Sequence, residues 1–303
     1  MFENYPQPTH FLLHLSDTHF VTDPNEPLHH IVTPDANLAR LFEEFDRGGV
    51  TPDAMIFTGD LADTGGEAAY DRLRALIEPI AERYGAELIW VMGNHDERGA
   101  FRRRLLDQEA GDTSPIDRVF DVNGLRIIAL DSTVPGVHYG DIAEEQLEWL
   151  AGVLETPAPH GSILALHHPP VWSPLGAIRL FELQHQERLA EVVRDSDIRG
   201  IIGGHLHYNT TSTFAGIPVV VASATCYTQD LNAVFPSMRG QDGAQSYNLV
   251  HVYDDRVLHT TVPLGDYPTA YEFSAENVAE LEAFMRLSPE DQAAAIAAHA
   301  KQA

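Results

Sequence analysis

Ala54-Met55-Ile56-Phe57-Thr58-Gly59-Asp60-Leu61-Ala62-Asp63 is the stretch on which the fold of this chain turns. Met55 to Thr58 are apolar or β-favouring and predict a buried strand. Gly59 then frees the backbone to turn sharply, so Asp60 emerges at the strand's C-terminal edge, where α/β sheets carry their chemistry. A carboxylate has two oxygens and can bridge two cations at once. Asp60 reads as such a bridge, because every other candidate metal ligand also follows a short apolar run.

Upstream, Phe11 to Leu15 predicts a strand that delivers Ser16-Asp17-Thr18-His19. In extended backbone, a spacing of two puts the Asp17 and His19 side chains on one face. Downstream, Leu88 to Met92 leads into Gly93-Asn94-His95-Asp96, where Asn94 can coordinate through its amide oxygen and His95 can be a ligand, an acid or a turn residue. Ser162 to Leu166 leads into His167-His168-Pro169-Pro170, whose prolines fix the exit path of the loop. Only His167 is assigned to a metal, and the other imidazole is left a structural role. Gly200 to Ile202 precedes Gly203-Gly204-His205-Leu206-His207, again with two histidines at i and i+2 beside glycines that permit close approach. Each motif alone reads as a polar loop or turn after a strand.

The remaining segments predict the frame. Asp35 caps a helix bearing Leu38, Leu41, Phe42 and Phe45 and ending at Gly48-Gly49. Glu67 to Tyr84 is a helix with Tyr70, Leu73, Ile77 and Ile80 on one face, kinked or shortened by Pro79 and ended by Gly85. Arg118 to Val122 and Leu125 to Leu130 form a hairpin around Asn123-Gly124. Asp141 and Glu144 form a capping box before Leu147, Trp149 and Leu150, and Arg188 to Val193 is helical. Ile217 to Ala222, Tyr247 to Tyr253 and Val257 to Val262 are β-rich and are expected to complete a second sheet. Ser274 and Ser288-Pro289 start two short helices. The expected division is a catalytic domain over 1–267 and a helical appendage over 268–303, which is a packing arm, a dimer contact or a frayed tail.

With 303 residues and no Pro/Gly/Ser-rich linker, one large α/β domain is expected. The formal charge of -26 repels polyanions, so a nucleic-acid polymer is an unsuitable partner and an anionic small ligand needs a local cationic trap. Cys226 is the single cysteine, which excludes an internal disulfide and suits a reducing compartment. It reads as a small core residue, and His29 and His30 as solvated loop residues. There is no signal-like start and no apolar run near ~18 residues, so a soluble cytoplasmic protein with no membrane partner is expected. The glycine fingerprints of dinucleotide and phosphate loops are missing.

Asp17-x-His19, Gly59-Asp60-x-x-Asp63, Gly93-Asn94-His95-Asp96, His167 and Gly204-His205-x-His207 occur in one order, each at a predicted strand end. In that order the sequence resembles the calcineurin-like metallophosphoesterases over roughly Phe11 to Leu264. Gly-Asn-His-Asp, His-His-Pro-Pro and Ala222 to Asp230 look most like bacterial class III cyclic-nucleotide phosphodiesterases. The resemblance implies a four-layer αββα sandwich, two mixed sheets flanked by helices. It implies one metal on Asp17, His19, Asp60 and His207 and a second on Asp60, Asn94, His167 and His205. It also implies His95 as general acid, with Asp63 as its orienting partner.

Imidazole and oxygen donors without thiolate suit two divalent or mixed-valence transition ions, Mn, Fe, Co or Zn, rather than a calcium or magnesium cage. Such a pair, ~3.5 to 4 Å apart, can bind a phosphoryl oxygen and activate a bridging water for in-line attack. Two ions, two carboxylates and a hydroxide leave about one positive charge, which is the trap that a phosphodiester monoanion needs. The activity so implied is hydrolysis of 3′,5′-cyclic nucleotides, cAMP first and cGMP second, to 5′-nucleotides by metal-bound hydroxide. The alternatives are a glycerophosphodiester, a 2′,3′-cyclic nucleotide or a phosphomonoester as substrate, or a non-catalytic metal-binding scaffold. Asn94, His138, Tyr208 and Asn209 are the expected substrate contacts. Family members often form dimers, so a homodimer or higher homo-oligomer is expected.

Overall fold

The computed structural model describes residues 6–109 and 111–299. β1 (His10–Leu15), β2 (Ala54–Thr58) and β3 (Glu87–Val91) lie parallel and are linked through α1 (Pro34–Asp46) and α2 (Glu67–Tyr84). α3 (Arg98–Leu105) leads to the antiparallel hairpin of β4 (Arg118–Val122) and β5 (Leu125–Leu130). α4 (Glu144–Leu154), β6 (Ser162–Leu166), α5 (Gln186–Val193) and β7 (Ile198–Gly203) follow, with β5, β6 and β7 parallel. β8 (Thr210–Phe214) and β9 (Ile217–Val221) pair antiparallel, and β9 adds to β7. The short β10 (Thr228–Gln229) and β11 (Gly240–Gln241) pair with each other, and β12 (Ser246–Val252) and β13 (Val257–Pro263) follow. The strand orders are β13-β12-β1-β2-β3 and β4-β5-β6-β7-β9-β8.

Alternation along the strands builds the layers. Leu13, Leu15, Met55 and Phe57 pack against Leu38 and Phe42 of α1 and Tyr70 and Ile77 of α2. The intervening Leu12, Ile56 and Ile89 meet Ile127, Ile163 and Ile202 between the sheets. On the far side, Ile128, Leu164 and Ile201 pack against Leu150 of α4 and Leu189 of α5. The result is helix, sheet, sheet, helix, the four mixed α/β layers expected. β2 and β6 are buried along their whole length, as parallel strands covered on both faces must be.

Several local expectations are corrected. β12 and β13 do not join the second sheet; β12 pairs antiparallel with β1, Leu12 opposite Val250, and places Val250 and Val252 between the sheets. Periodicity marks a strand as half-buried without saying which sheet it joins. α1 starts after Thr33, with Asp35 in its first turn, and α4 starts after Ala143, whose N–H donates to Gln146 Oε1 at 3.1 Å. Pro79 neither ends nor shortens α2, because Ala75, whose carbonyl loses its donor there, lies on the exposed face. α3 and β8 carried no apolar period and were not anticipated. α3 is capped by the Glu97 carboxylate, which accepts from Gly99 N at 3.0 Å and Ala100 N at 2.7 Å.

Pro8–Gly265 form one compact unit, and the segment from Asp266, with α6 (Ala275–Met285) and α7 (Pro289–His299), groups separately. Ser274 caps α6, accepting from Asn277 N at 3.2 Å. Among the described residues no helix is long and apolar enough to cross a membrane.

Candidate metal centre

The candidate ligands occupy the turns that leave the C-terminal ends of β1, β2, β3, β6 and β7. The first two turns follow each other beyond their strands: Asp17 N donates to Gly59 O at 3.0 Å and His19 N to Asp60 O at 2.9 Å. The expectation of extended backbone at these pairs is corrected. Asp17, His19, Asp60, His205 and His207 have φ of 52°, 45°, 50°, 69° and 55°, so the side chains converge through left-handed turns. Each such residue costs of order ~1–3 kcal/mol and persists where its surroundings over-determine it. Glycine makes the close approach of two of these turns possible. A Cβ on Gly93 would lie 2.0 Å from Asp60 N and 2.3 Å from Asp60 Oδ1.

Asp17, His19, Asp60 and His207 are buried and bring ligand atoms within 4.8 Å of one another. Asp60 Oδ2 is 3.4 Å from His19 Nε2 and 3.3 Å from His167 Nε2, while Oδ1 accepts from His95 N at 2.8 Å. One carboxylate oxygen therefore stands between the two expected ion positions. On the second side, His167 Nε2 is 3.1 Å from Asn94 Oδ1 and the His167 and His205 rings are 5.0 Å apart.

The outer nitrogen of each imidazole is tied to an oxygen. His19 Nδ1 donates to Asp63 Oδ1 at 3.0 Å, His167 Nδ1 to Thr58 O at 2.7 Å, His207 Nδ1 to Tyr227 O at 2.9 Å, and His205 Nε2 to Phe181 O at 2.9 Å. A carbonyl only accepts, so these bonds fix the tautomer and leave the other ring nitrogen with a lone pair for a cation. The inner face is a set of acceptors looking at acceptors, and His19 Nε2 is buried there without a hydrogen-bond partner. Either a metal cation or protons on the inner nitrogens resolve that. With protons alone, burial pulls the two imidazoles down, but Asp60 and its neighbours more than reverse this, raising His19 to about 10 and His167 to about 9. Burial would raise Asp17, yet His207 holds it at about 2. Burial lowers His205 to about 3, with His167 adding to the shift. The donor set fits divalent transition ions. Cys226 Sγ lies 4.0 Å from His207 Nδ1, but burial and the nearby Asp17 push its thiol pKa far up, so it stays a neutral packing group.

His95 is oriented by Asp63, but through the main chain: His95 Nδ1 donates to Asp63 O at 2.7 Å, while the Asp63 carboxylate is 3.9 Å away and serves His19 instead. His138 accepts from Asn94 Nδ2 at 3.0 Å and so directs Asn94 Oδ1 toward His167. His168 is engaged at both nitrogens, with Ser132 Oγ at 2.9 Å and His138 O at 3.1 Å. Two expected substrate contacts lie elsewhere. Tyr208 is buried in the outer core with its hydroxyl 2.8 Å from Ser173 Oγ, and Asn209 Nδ2 donates to Ser246 Oγ at 2.7 Å.

Two residues given no role from the sequence belong to the site. Asp96 accepts from Leu61 N, Ala62 N, Gly93 N and the Tyr70 hydroxyl at 2.8 to 3.1 Å, binding the Asp60 turn to the Asn94 turn. Burial, with the charge of Asp60, pushes its carboxyl up to about 6. The Tyr227 ring lies 4.4 Å from that of His207, tilted by 49°.

The calcineurin-like phosphoesterase profile matches residues 12–209, which carry all seven candidate ligands. The chain belongs to the calcineurin-like phosphoesterase family. A probable cyclic nucleotide phosphodiesterase of Rhodococcus erythropolis is 54% identical over 268 residues, 88% of each chain. A cAMP/cGMP dual specificity phosphodiesterase of Mycobacterium tuberculosis is 54% identical over 269 residues, 89% of this chain and 84% of that one. The fold is also that of a dimetal phosphatase from Danio rerio, with a TM-score of 0.59 at 15% identity over 84% of this chain and 96% of that one. As a member of this family the chain is a metal-dependent phosphoesterase.

Proposed function

We propose that this metallophosphoesterase is a dinuclear phosphodiesterase that opens the cyclic phosphate of cAMP and cGMP to give 5′-nucleotides. The observation that carries the dinuclear part is Asp60 Oδ2, lying 3.4 and 3.3 Å from imidazole nitrogens of two converging groups. The substrate class is supported by the names of the two relatives at 54% identity. Asp17, His19, Asp60 and His207 would hold one ion, and Asp60, Asn94, His167 and His205 the other, with Mn, Fe, Co and Zn suited to these donors. When bound, the two ions supply Lewis-acid polarisation of the phosphoryl oxygens and of an attacking water.

The chain's own residues do the rest. His95 Nδ1 is committed to Asp63 O, so Nε2 is the nitrogen that gives its proton to the departing O3′. Its side chain is one third exposed, so an oxygen from solution can reach it. The Asp63 carboxylate holds His19, and His138 holds Asn94 by its amide, leaving each inner donor aimed at the ions.

The test is kcat/KM for cAMP and cGMP on metal-stripped protein reloaded with Mn, beside bis(p-nitrophenyl) phosphate and a glycerophosphodiester. Turnover of the cyclic nucleotides above the glycerophosphodiester is expected. Turnover of the activated ester alone would retain the metal centre and refute the substrate, and no turnover in any metal would favour a scaffold.

A further inference from the structure

Beside the metal centre lies a cavity of about 280 Å³ lined by His29, Tyr227, Gln229, Met238 and Gln241, among others. We propose that it is the nucleoside subsite, in which a purine rests against the wall that Tyr227 and His29 form together and the Gln229 and Gln241 amides read its edge. The proposal rests on the phosphodiesterase reading above and names where that substrate's base binds.

The wall of this cavity is fastened to a candidate metal ligand at two points. Tyr227 O accepts from His207 Nδ1 at 2.9 Å, and Gln229 N donates to His207 O at 3.0 Å. The Tyr227 ring is 6.0 Å from that of His19 and 4.9 Å from that of His29, with the last pair nearly perpendicular at 78°. His29 is exposed, as a loop residue is expected to be, and its ring also packs edge-on against Tyr227.

The chemistry of the leaving group narrows the choice of cavity. O3′ belongs to the ribose that carries the base, so the nucleoside must lie beside the group that protonates O3′. The His95 ring lies 4.7 Å from that of His19 and 5.2 Å from that of His138, so it borders both flanks, and Tyr227 flanks the His19 imidazole 6.0 Å away. A smaller cavity of about 200 Å³ borders Asn94 on the other flank, but its Arg98 already donates to Asp131, Thr113 O and Thr133 O.

The polar lining matches purines of either kind. Gln229 Oε1 is buried and has no partner among the described residues, while Gln241 Nε2 donates to Thr228 Oγ1 at 3.2 Å. A glutamine amide presents an acceptor and donors side by side and exchanges them by rotation. Adenine offers an amino donor beside a ring acceptor, and guanine a carbonyl acceptor beside a ring N–H. One amide can meet both, whereas a fixed carboxylate or ammonium cannot. Tyr227 and Met238 supply apolar faces that a base of either kind can stack on.

The experiment compares Gln229→Leu, Gln241→Leu and Tyr227→Leu with the Mn-loaded parent, reading kcat/KM for cAMP against bis(p-nitrophenyl) phosphate, which has no base. The cAMP-to-ester ratio should fall about tenfold in each, through KM, and Tyr227→Phe should restore it. Calorimetric binding of 5′-AMP to the same proteins should weaken about tenfold in parallel. Gln241 is exposed, so its variant folds even if the others do not. Unchanged ratios and unchanged 5′-AMP binding, with the parent still hydrolysing cAMP, would overturn the subsite alone. A parent that turns over only the activated ester would overturn the function, and the 5′-AMP arm would then decide the subsite: binding lost in the variants supports it, and absent binding refutes it.

Discussion

Filling the metal centre should expel protons, and the number is set by the two imidazoles that face Asp60. In the empty centre His19, raised to about 10, and His167, raised to about 9, are charged at neutral pH and stand where ions would stand. Each must give up its proton before its inner nitrogen can bind. At pH 6.5 the His167 proton weakens ion binding ~300-fold, or ~3 kcal/mol, and the His19 proton ~3000-fold, or ~5 kcal/mol. Both side chains are almost fully buried, at 0% and 2% exposure, so water screens little of this. Apparent affinity at each site should therefore rise about tenfold per pH unit up to about pH 9. Calorimetric titration of Mn into stripped protein, in buffers of differing ionisation enthalpy, counts the protons directly. At pH 6.5 a metal-activated water with a pKa of ~7 still keeps most of its protons, so close to two should leave per two ions. His167→Ala should lower the count by one. A count near zero in the parent, with two ions bound, would refute the protonated cluster.

Other perturbations separate the remaining roles. Removing the proposed acid, His95→Ala should leave both ions bound but lower kcat on cyclic nucleotides ~10²–10⁴-fold, with a smaller loss on bis(p-nitrophenyl) phosphate, whose leaving group needs no proton; equal losses on both would remove the acid role. Asp63→Asn keeps the carbonyl that orients His95 and weakens the bond to His19, so metal affinity measured by competition with a chelator should fall ~10–100-fold while the pH profile of the loaded enzyme holds its shape. A displaced acidic limb would instead give the Asp63 carboxylate to His95. The metal-free protein should lose thermal stability as pH rises from 7 to 9. The folded-state pKa values of His19 and His167 lie above the ordinary 6.5, so their stabilisation is complete below that value and disappears as pH rises through about 9 and about 10. A melting temperature that rises over this window in the stripped protein would contradict the sign.

The candidate centre is legible in the sequence because its candidate ligands follow short apolar runs that read as buried strands. Met55 to Thr58, Ser162 to Leu166 and the strand before Gly203 carry that signal in their composition, and the structure puts each at the expected place. What lay beyond reach was conformation and partnership. Nothing in Asp17-x-His19 distinguishes an extended spacing from a left-handed one, because alternation describes strands and the chain has left its strand at Leu15. The engagement of Tyr208 with Ser173 and of Asn209 with Ser246 was illegible for the same reason: adjacency to His207 in sequence says nothing about facing the cluster once the backbone has turned. The sheet that β12 joins was illegible because a half-buried alternation fits either edge.

The deepest gap concerns what aims the histidines. His95, His167, His205 and His207 are each held by a main-chain carbonyl, of Asp63, Thr58, Phe181 and Tyr227, and only His19 by a side chain. Every residue carries a carbonyl, so these partners leave no mark in the amino-acid alphabet and survive substitution of the residue that owns them. Aim is then a property of backbone path. The path is set by the left-handed turns at Asp17, Asp60 and His207, by Asp96 gathering three N–H donors from two turns, and by Gly93, whose missing Cβ lets those turns touch. A change that spares every ligand but shifts this path should therefore disable the centre as fully as removal of a ligand. Gly93→Ala is the sharpest case, since its Cβ would lie 2.0 Å from Asp60 N and must drive apart the turns bearing Asp60 and Asn94. Stoichiometric binding of two Mn ions by a folded Gly93→Ala protein would show that side chains alone aim the donors.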